Sequence, residues 1–199
     1  MFQDLKGKTV VVTGSGREKG IGKAVLIAFA KAGCNVVVSD IGTQKGDQFN
    51  SDHVGLSDEM ESIVSKAKNL GVDAFAVPCD VRIEQEVQSL IETTVDRFGG
   101  IDVLVNNAGI RKFSYLTEST SESWQDILSV NLLGTAFCAK AVMPYLRQSP
   151  NAAIVNVSSV YGVIGRKNMG QYDATKAAIN SMTRTLANEE AEKKLKAYK

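Results

Sequence analysis

Tyr172-Asp173-Ala174-Thr175-Lys176 sets a phenol and an ammonium four residues apart, a spacing that places both on one face of a helix. A phenol titrates near pH ~10 and is a poor acid or base at neutrality. A neighbouring ammonium favours the phenolate and so lowers that barrier. Ser158 and Ser159 close a short apolar run fourteen and thirteen residues earlier. Either could supply a hydroxyl that polarises a carbonyl. Taken alone, a Tyr/Lys pair at this spacing is commonly a surface feature of a helix.

A second constellation lies near the N-terminus, Thr13-Gly14-Ser15-Gly16-Arg17-Glu18-Lys19-Gly20-Ile21-Gly22. Glycines between a strand and a helix let the backbone approach a pyrophosphate, whose charge then meets the helix N-terminus. The pattern is not a strict GxGxxG, because Lys19 stands where the third glycine would be. Asp40 follows Gly20 by twenty residues, where a carboxylate can accept hydrogen bonds from an adenosine ribose. A carboxylate there repels a 2′-phosphate, which favours NAD over NADP. Arg17 and Lys19 could pair with such a phosphate; as members of a polar turn they are read as solvent-facing.

The elements that must position these groups repeat as strand, turn and helix. Thr9–Thr13, Asn35–Ser39, Ala74–Pro78, Val103–Val105 and Ala153–Val157 read as buried strands. Gly20–Ala32, Asp58–Leu70, Glu84–Phe98, Ser121–Arg147 and Gln171–Asn188 read as helices, the fourth bent near Gly134 and Pro144. Gly42–Ser57 reads as a lengthened loop, and the last eleven residues, EEAEKKLKAYK, as a solvated helix end. The alternation predicts an α/β fold, a doubly wound parallel sheet in three αβα layers, with residues 1–199 forming a single domain.

The chain has 199 residues, with 23 Lys plus Arg against 22 Asp plus Glu and a formal net charge of +1. This balance gives no footprint for nucleic acid and no membrane-seeking surface. No apolar run approaches the roughly 18–20 residues of a membrane-spanning helix, and the N-terminus lacks a leader pattern. Cys34, Cys79 and Cys138 are far apart with no CxxC, which indicates a reducing, cytoplasmic setting and small core residues rather than disulfides. His53, the sole histidine, has no ligand cluster beside it, so no metal site and no histidine triad is expected.

Four motifs in order carry a resemblance to the short-chain dehydrogenase/reductase family across nearly the whole chain: Asp80-Val81, matching the acidic residue that meets the adenine, Asn106-Asn107-Ala108-Gly109, Asn131 in SVNLLGT and the Ser–Tyr–Lys set. The family's serine precedes its tyrosine by thirteen residues, which selects Ser159 over Ser158. The resemblance implies a Rossmann-type domain that binds NAD, with NADP the less favoured cofactor. It acts on CH–OH groups, moving a hydride between the cofactor and a secondary alcohol or ketone. Tyr172 is then the general acid or base, Ser159 holds the same substrate oxygen, and Lys176 holds the nicotinamide ribose and depresses the Tyr172 pKa. Asn131 positions a water that links Lys176 to solvent. Gly14, Ser15, Gly16, Arg17, Gly20, Ile21, Gly22, Asp40, Asp80, Val81, Asn107, Ala108, Gly109, Tyr172 and Lys176 are the implied cofactor contacts. Family members commonly pair through two long helices, so a homo-oligomer, dimer or tetramer, is expected around a small-molecule substrate.

The sequence departs from that family twice. Five residues separate Gly14 and Gly20 where three are usual, which shifts trust toward Gly14, Ile21 and the helix end. A looser turn of this kind resembles that of divergent enoyl reductases, which space the tyrosine and lysine differently. After Leu186-Ala187-Asn188-Glu189 the family continues into a sixth strand, a Pro-Gly turn and a substrate-covering segment, so the C-terminal part of the fold is expected to be missing here. Arg111, Arg166 and Lys167 could receive an anionic substrate, with surface solubility the plainer reading; Trp124, Met182 and Cys138 suit helix packing. Two other functions stay open: an NADPH-dependent 3-oxoacyl thioester reductase, which Asp40 opposes, and a catalytically silent nucleotide-binding protein.

Overall fold

The computed structural model describes residues 3–44, 54–191 and 196–198. Six strands form one wholly parallel sheet: β1 (Thr9–Thr13), β2 (Asn35–Asp40), β3 (Ala74–Pro78), β4 (Val103–Asn106), β5 (Ala153–Asn156) and β6 (Lys196–Tyr198). Their order across the sheet is β3-β2-β1-β4-β5-β6. Crossover to both sides of β1 follows from right-handed βαβ connections, and it opens a crevice at the strand C-terminal ends where the direction of winding reverses.

Strand period sorts the core into two layers. Val11, Val37, Leu104 and Ile154 point to one face and pack on Leu90 and Ile91 of α3 (Glu84–Phe98) and on Val142 and Leu146 of α5 (Thr135–Leu146). Val10, Val12, Val36, Val38, Val103 and Val105 point to the other. They meet Leu26 and Ala30 of α1 (Ile21–Lys31) and Met60, Ile63 and Ala67 of α2 (Ser57–Lys68). Both faces are covered, so the strands read as continuous valine runs without polar alternation. Each fully buried aliphatic side chain contributes about 1.5–3 kcal/mol, so the sheet is the rigid base of everything at its edge.

The fourth helix differs from its expected form. Its bend is a π-helical turn, Ser129–Gly134, between α4 (Ser121–Leu128) and α5, and Pro144 sits inside α5. The whole run Ser121–Leu146 is long and apolar enough by length and composition to cross a membrane. This corrects the expectation that no apolar run is of that length; half of the window is buried, as for a core helix.

The C-terminal end also departs from expectation. Helix α6 (Gly170–Glu190) takes in Glu189 and Glu190, and Glu190 is buried against Arg147, with Nε–Oε2 and Nη2–Oε1 distances of 3.0 and 2.5 Å. Lys196–Tyr198 then pairs with β5, so this segment is not a solvated helix end. The open edge of β5 would otherwise leave a row of unpaired backbone groups. Expectations for His53 and for most of the Gly42–Ser57 loop fall on residues outside the described set.

Candidate active site

One cavity of about 560 Å³ runs along the C-terminal ends of the strands. Its wall joins Gly14, Arg17, Gly20, Ile21, Asp40, Asp80, Val81, Asn107, Ala108, Gly109, Ser158, Tyr172 and Lys176. Twelve expected site residues scattered over the sequence thus meet in one groove, together with Ser158; Ser159, the serine the spacing selects, is not among the residues that line it. Arg17 and Lys19 both stand on this wall, so they are not simply outward members of a polar turn.

The glycine turn is shaped by close approach. Gly14 adopts φ +63°, and a Cβ there would lie 2.7 Å from Ala108 Cα. A Cβ on Gly22 would lie 2.4 Å from the Gly14 oxygen, so the first turn of α1 seats directly on the loop. Asn107 ties the same region together: its Nδ2 donates to the oxygens of Thr13 and Gly14 at 3.0 and 2.9 Å. Ser15 is fully buried and off the wall. Its hydroxyl donates to Val12 O at 2.7 Å and accepts from Ser39 N at 3.1 Å, so it staples β1 to β2.

Two acidic residues lie on the wall where β2 and β3 end. Asp40 sits beside Ile41 and Val54, and burial pushes its carboxyl above the usual carboxylate range while backbone N–H groups pull the other way. Asp80 is buried, and Arg82 Nε and Nη2 reach its two oxygens at 2.9 and 2.6 Å. Val81 packs against the π turn, where a Cβ on Gly134 would lie 2.7 Å from Val81 Cγ2.

At the other end, α6 presents Tyr172 and Lys176. Lys176 is buried, its Nζ donates to Val157 O at 2.7 Å, and it lies 5.5 Å from the centroid of the Tyr172 ring. Burial lowers its pKa to about 8. Arg166 approaches the same ring: its guanidinium carbon is 5.2 Å from the Tyr172 centroid and 3.7 Å from that of Tyr161. Its Nη2 lies 3.3 Å from Asp173 Oδ1. Arg166 is therefore engaged in a stack and an ion pair, while its buried Nε has no hydrogen-bond partner among the described residues.

The two serines separate by their hydrogen bonds. Ser158 Oγ donates to the Lys176 carbonyl at 3.0 Å. Ser159 Oγ accepts from Tyr161 N at 3.2 Å as it caps the 3-10 turn Val160–Gly162, which leaves its own hydrogen to donate. Asn131 is buried behind the wall, in the π turn. Its Oδ1 accepts from Ile110 N at 2.8 Å, and its Nδ2 donates to Ile110 O at 2.9 Å and to Thr175 Oγ1 at 3.1 Å. A Cβ on Gly109 would be 3.3 Å from Asn131 Oδ1 and 3.7 Å from Lys176 Nζ, so these two groups bracket one small space.

Sequence reasoning missed a buried polar ladder. Asn106 Nδ2 donates to Asn156 Oδ1 at 2.9 Å, and Asn156 Nδ2 donates to Thr183 Oγ1 at 3.0 Å, linking β4, β5 and α6. An Asn closing each of two neighbouring strands was the available signal. Cys79 likewise lies on the cavity wall as well as in the core. Among the described residues no cluster of His, Cys, Asp and Glu could hold a metal.

A nicotinamide dinucleotide suits this groove: a helix N-terminus and glycine backbone lie midway, with a carboxylate at one end and a Tyr/Lys pair at the other. The space that side chains on Gly14 and Gly22 would fill is left to the backbone. Comparison with known proteins agrees. A family model described as short chain dehydrogenase matches residues 8–198. The chain is 35% identical over 182 residues to a 3-oxoacyl-[acyl-carrier-protein] reductase of Staphylococcus epidermidis, covering 92% of this chain and 68% of that one. It is 37% identical over 195 residues to glucose 1-dehydrogenase 2 of Bacillus subtilis, covering 97% and 70%. A crystal structure from Sinorhizobium meliloti, assigned by name to the short-chain alcohol dehydrogenases, superposes with a TM-score of 0.83 at 29% identity, covering 96% of this chain and 69% of that one.

Proposed function

This chain belongs to the short-chain dehydrogenase family, and from that premise we propose that it interconverts a secondary alcohol and a ketone with Tyr172 as the general acid or base. The reading is carried by one observation, the single groove that holds Asp40 at one end and the Tyr172–Lys176 pair at the other. The bound dinucleotide supplies or accepts the hydride.

The chain's own residues do the rest. The N-terminus of α1 and the backbone of Gly14, Gly20 and Ile21 receive the pyrophosphate. Asp40 receives the adenosine ribose, which favours NAD over NADP. Val81, with Asp80 beside it, walls the adenine. Lys176, already held at Val157 O, is placed to reach the second ribose. Tyr172 gives its proton to the substrate oxygen or takes one from it, and Ser159 donates a hydrogen bond to that oxygen. Asn131 anchors the wall behind Lys176, where a relay to solvent would pass.

Residues 1–199 are read as one unit that works as a homo-oligomer in the cytoplasm. The α5–α6 face carries a groove of about 400 Å³ lined by Ala136, Ala139, Met143, Pro144, Met182 and Leu186, a surface suited to a second copy. A 3-oxoacyl thioester is the second substrate reading. It is favoured by the exposed apolar rim of Phe113, Tyr115, Leu116, Val160, Val163 and Ile164 and by Arg111 on the cavity wall. Assay of the purified protein with NADH against acetoacetyl-CoA, and with NAD against glucose and simple secondary alcohols, tests the proposal. Turnover with any of these supports it, and absence of both turnover and dinucleotide binding overturns it.

A further inference from the structure

Gly16 and Gly55 touch backbone to backbone beside Asp40. A Cβ built on Gly55 would lie 2.5 Å from both Gly16 Cα and Gly16 C, and one built on Gly16 would lie 2.6 Å from Asp40 Cβ and 3.1 Å from Gly55 Cα. Neither position takes even a methyl group unless backbone moves. The segment bearing Gly55 is held in place from the other side by Gly42. Gly42 N donates to Gly55 O at 3.0 Å, and Ser57 donates to Gly42 O from both N and Oγ at 3.0 Å each.

This contact fixes the carboxylate between them. Asp40 Oδ2 accepts from Gly16 N at 3.0 Å, Oδ1 accepts from Ile41 N at 2.9 Å, and the Gly55 backbone N–H also bonds the side chain. A carboxylate offers about four acceptor positions, so a ribose hydroxyl can still be received on the groove side. What the side chain cannot do is turn away. Rotation out of the groove would break charge-assisted bonds to donors whose own positions the glycine contact sets. An acidic side chain free to rotate can make way for a 2′-phosphate; one that is locked keeps its charge against it.

We propose that the Gly16–Gly55 contact is a specificity device that locks Asp40 in place and makes this groove take NAD and reject NADP. This rests on the dinucleotide reading above. Arg17 does not cancel the effect: it shares the wall with Asp40, and its charge already acts on that carboxylate.

Dissociation constants for NADH and NADPH, read from nicotinamide fluorescence, test the proposal in the wild-type protein, in Gly55→Ala and in Ser57→Ala. The wild type is expected to favour NADH. Gly55→Ala pushes the segment off Gly16 and is expected to shrink that preference about tenfold, mainly through tighter NADPH binding. Ser57→Ala, which loosens the Gly42 tie without a clash, is expected to shift it about threefold in the same direction. A folded Gly55→Ala protein with an unchanged preference overturns the proposal. If Gly55→Ala does not fold, Ser57→Ala decides, and an unchanged preference there overturns it equally. A wild type that favours NADPH removes both this inference and the NAD preference, while leaving the hydride-transfer reading intact. One that binds neither dinucleotide removes that reading as well.

Discussion

Lys176 Nζ donates to the carbonyl oxygen of Val157 at 2.7 Å, so the ammonium beside Tyr172 is anchored to the end of β5 before any ligand arrives. The side chain is buried, and its pKa of about 8 lies well below the ordinary lysine value of 10.5. Below pH 8 the lysine is charged in both folded and unfolded chains, and folding bears the full cost of burying the charge. Between pH 8 and 10.5 the folded protein has released a proton that the unfolded chain keeps, so this group's contribution to stability improves as pH rises. Lys176→Met removes that dependence. The stability difference between variant and wild type should change by on the order of 3 kcal/mol between pH 7 and 10.5, in favour of the wild type. Chemical denaturation across that range measures it, and a difference independent of pH would contradict the burial argument.

Asn131 carries the π turn. Replacing it with Ala orphans the N–H and C=O of Ile110 together and removes the bond that Thr175 Oγ1 accepts, leaving that hydroxyl its own bond to Tyr172 O. A loss of about 2–4 kcal/mol in unfolding free energy is expected, since buried unpaired groups cost about 1–3 kcal/mol each and part of that relaxes. Urea denaturation of Asn131→Ala checks this; a loss below about 1 kcal/mol would mean the turn is held by its helix neighbours alone.

Gly14 and Gly22 are fixed by approach distances, not by propensity. Gly22→Ala forces a methyl to 2.4 Å from the Gly14 oxygen, and the loop must shift where the pyrophosphate is placed. NADH affinity is expected to fall at least about tenfold, with most of the stability retained. Titration by nicotinamide fluorescence reads this directly, and unchanged affinity would move the pyrophosphate site away from α1.

Arg166 packs over the rings of Tyr161 and Tyr172 and neighbours the buried Asp173. Arg166→Ala should lower kcat about tenfold while leaving NADH affinity near its wild-type value, because the guanidinium touches the tyrosine ring and not the dinucleotide wall. Added guanidinium ion should restore part of the rate. Equal losses in kcat and in NADH affinity would instead point to general disruption of the loop.

Much of this architecture is legible in the residues themselves. The valine runs at residues 9–13 and 35–40 announce strands buried on both faces, and Glu84–Phe98 carries its helical face openly. The lining of the candidate groove was legible where its residues sit at strand ends, at Gly14, Asp40 and Asn107, because the topology brings strand ends together. The π turn was not legible. SVNLLG has ordinary helical composition, and the bond by which its Asn131 meets Ile110 joins residues twenty-one positions apart. Strand β6 was hidden because Lys-Ala-Tyr has the charge of a solvated segment; only the open edge of β5 gives it a partner. The engagement of Arg166 was equally invisible, since its partners Tyr161 and Asp173 become neighbours only when α6 docks.

The central claim, that Tyr172 exchanges a proton with the substrate oxygen, is tested most directly by comparing wild type with Tyr172→Phe in acetoacetyl-CoA reduction and in NADH binding. Loss of the hydroxyl alone should lower kcat by about 10²–10⁴-fold with NADH affinity unchanged within about twofold. A variant that turns over at the wild-type rate would contradict the account.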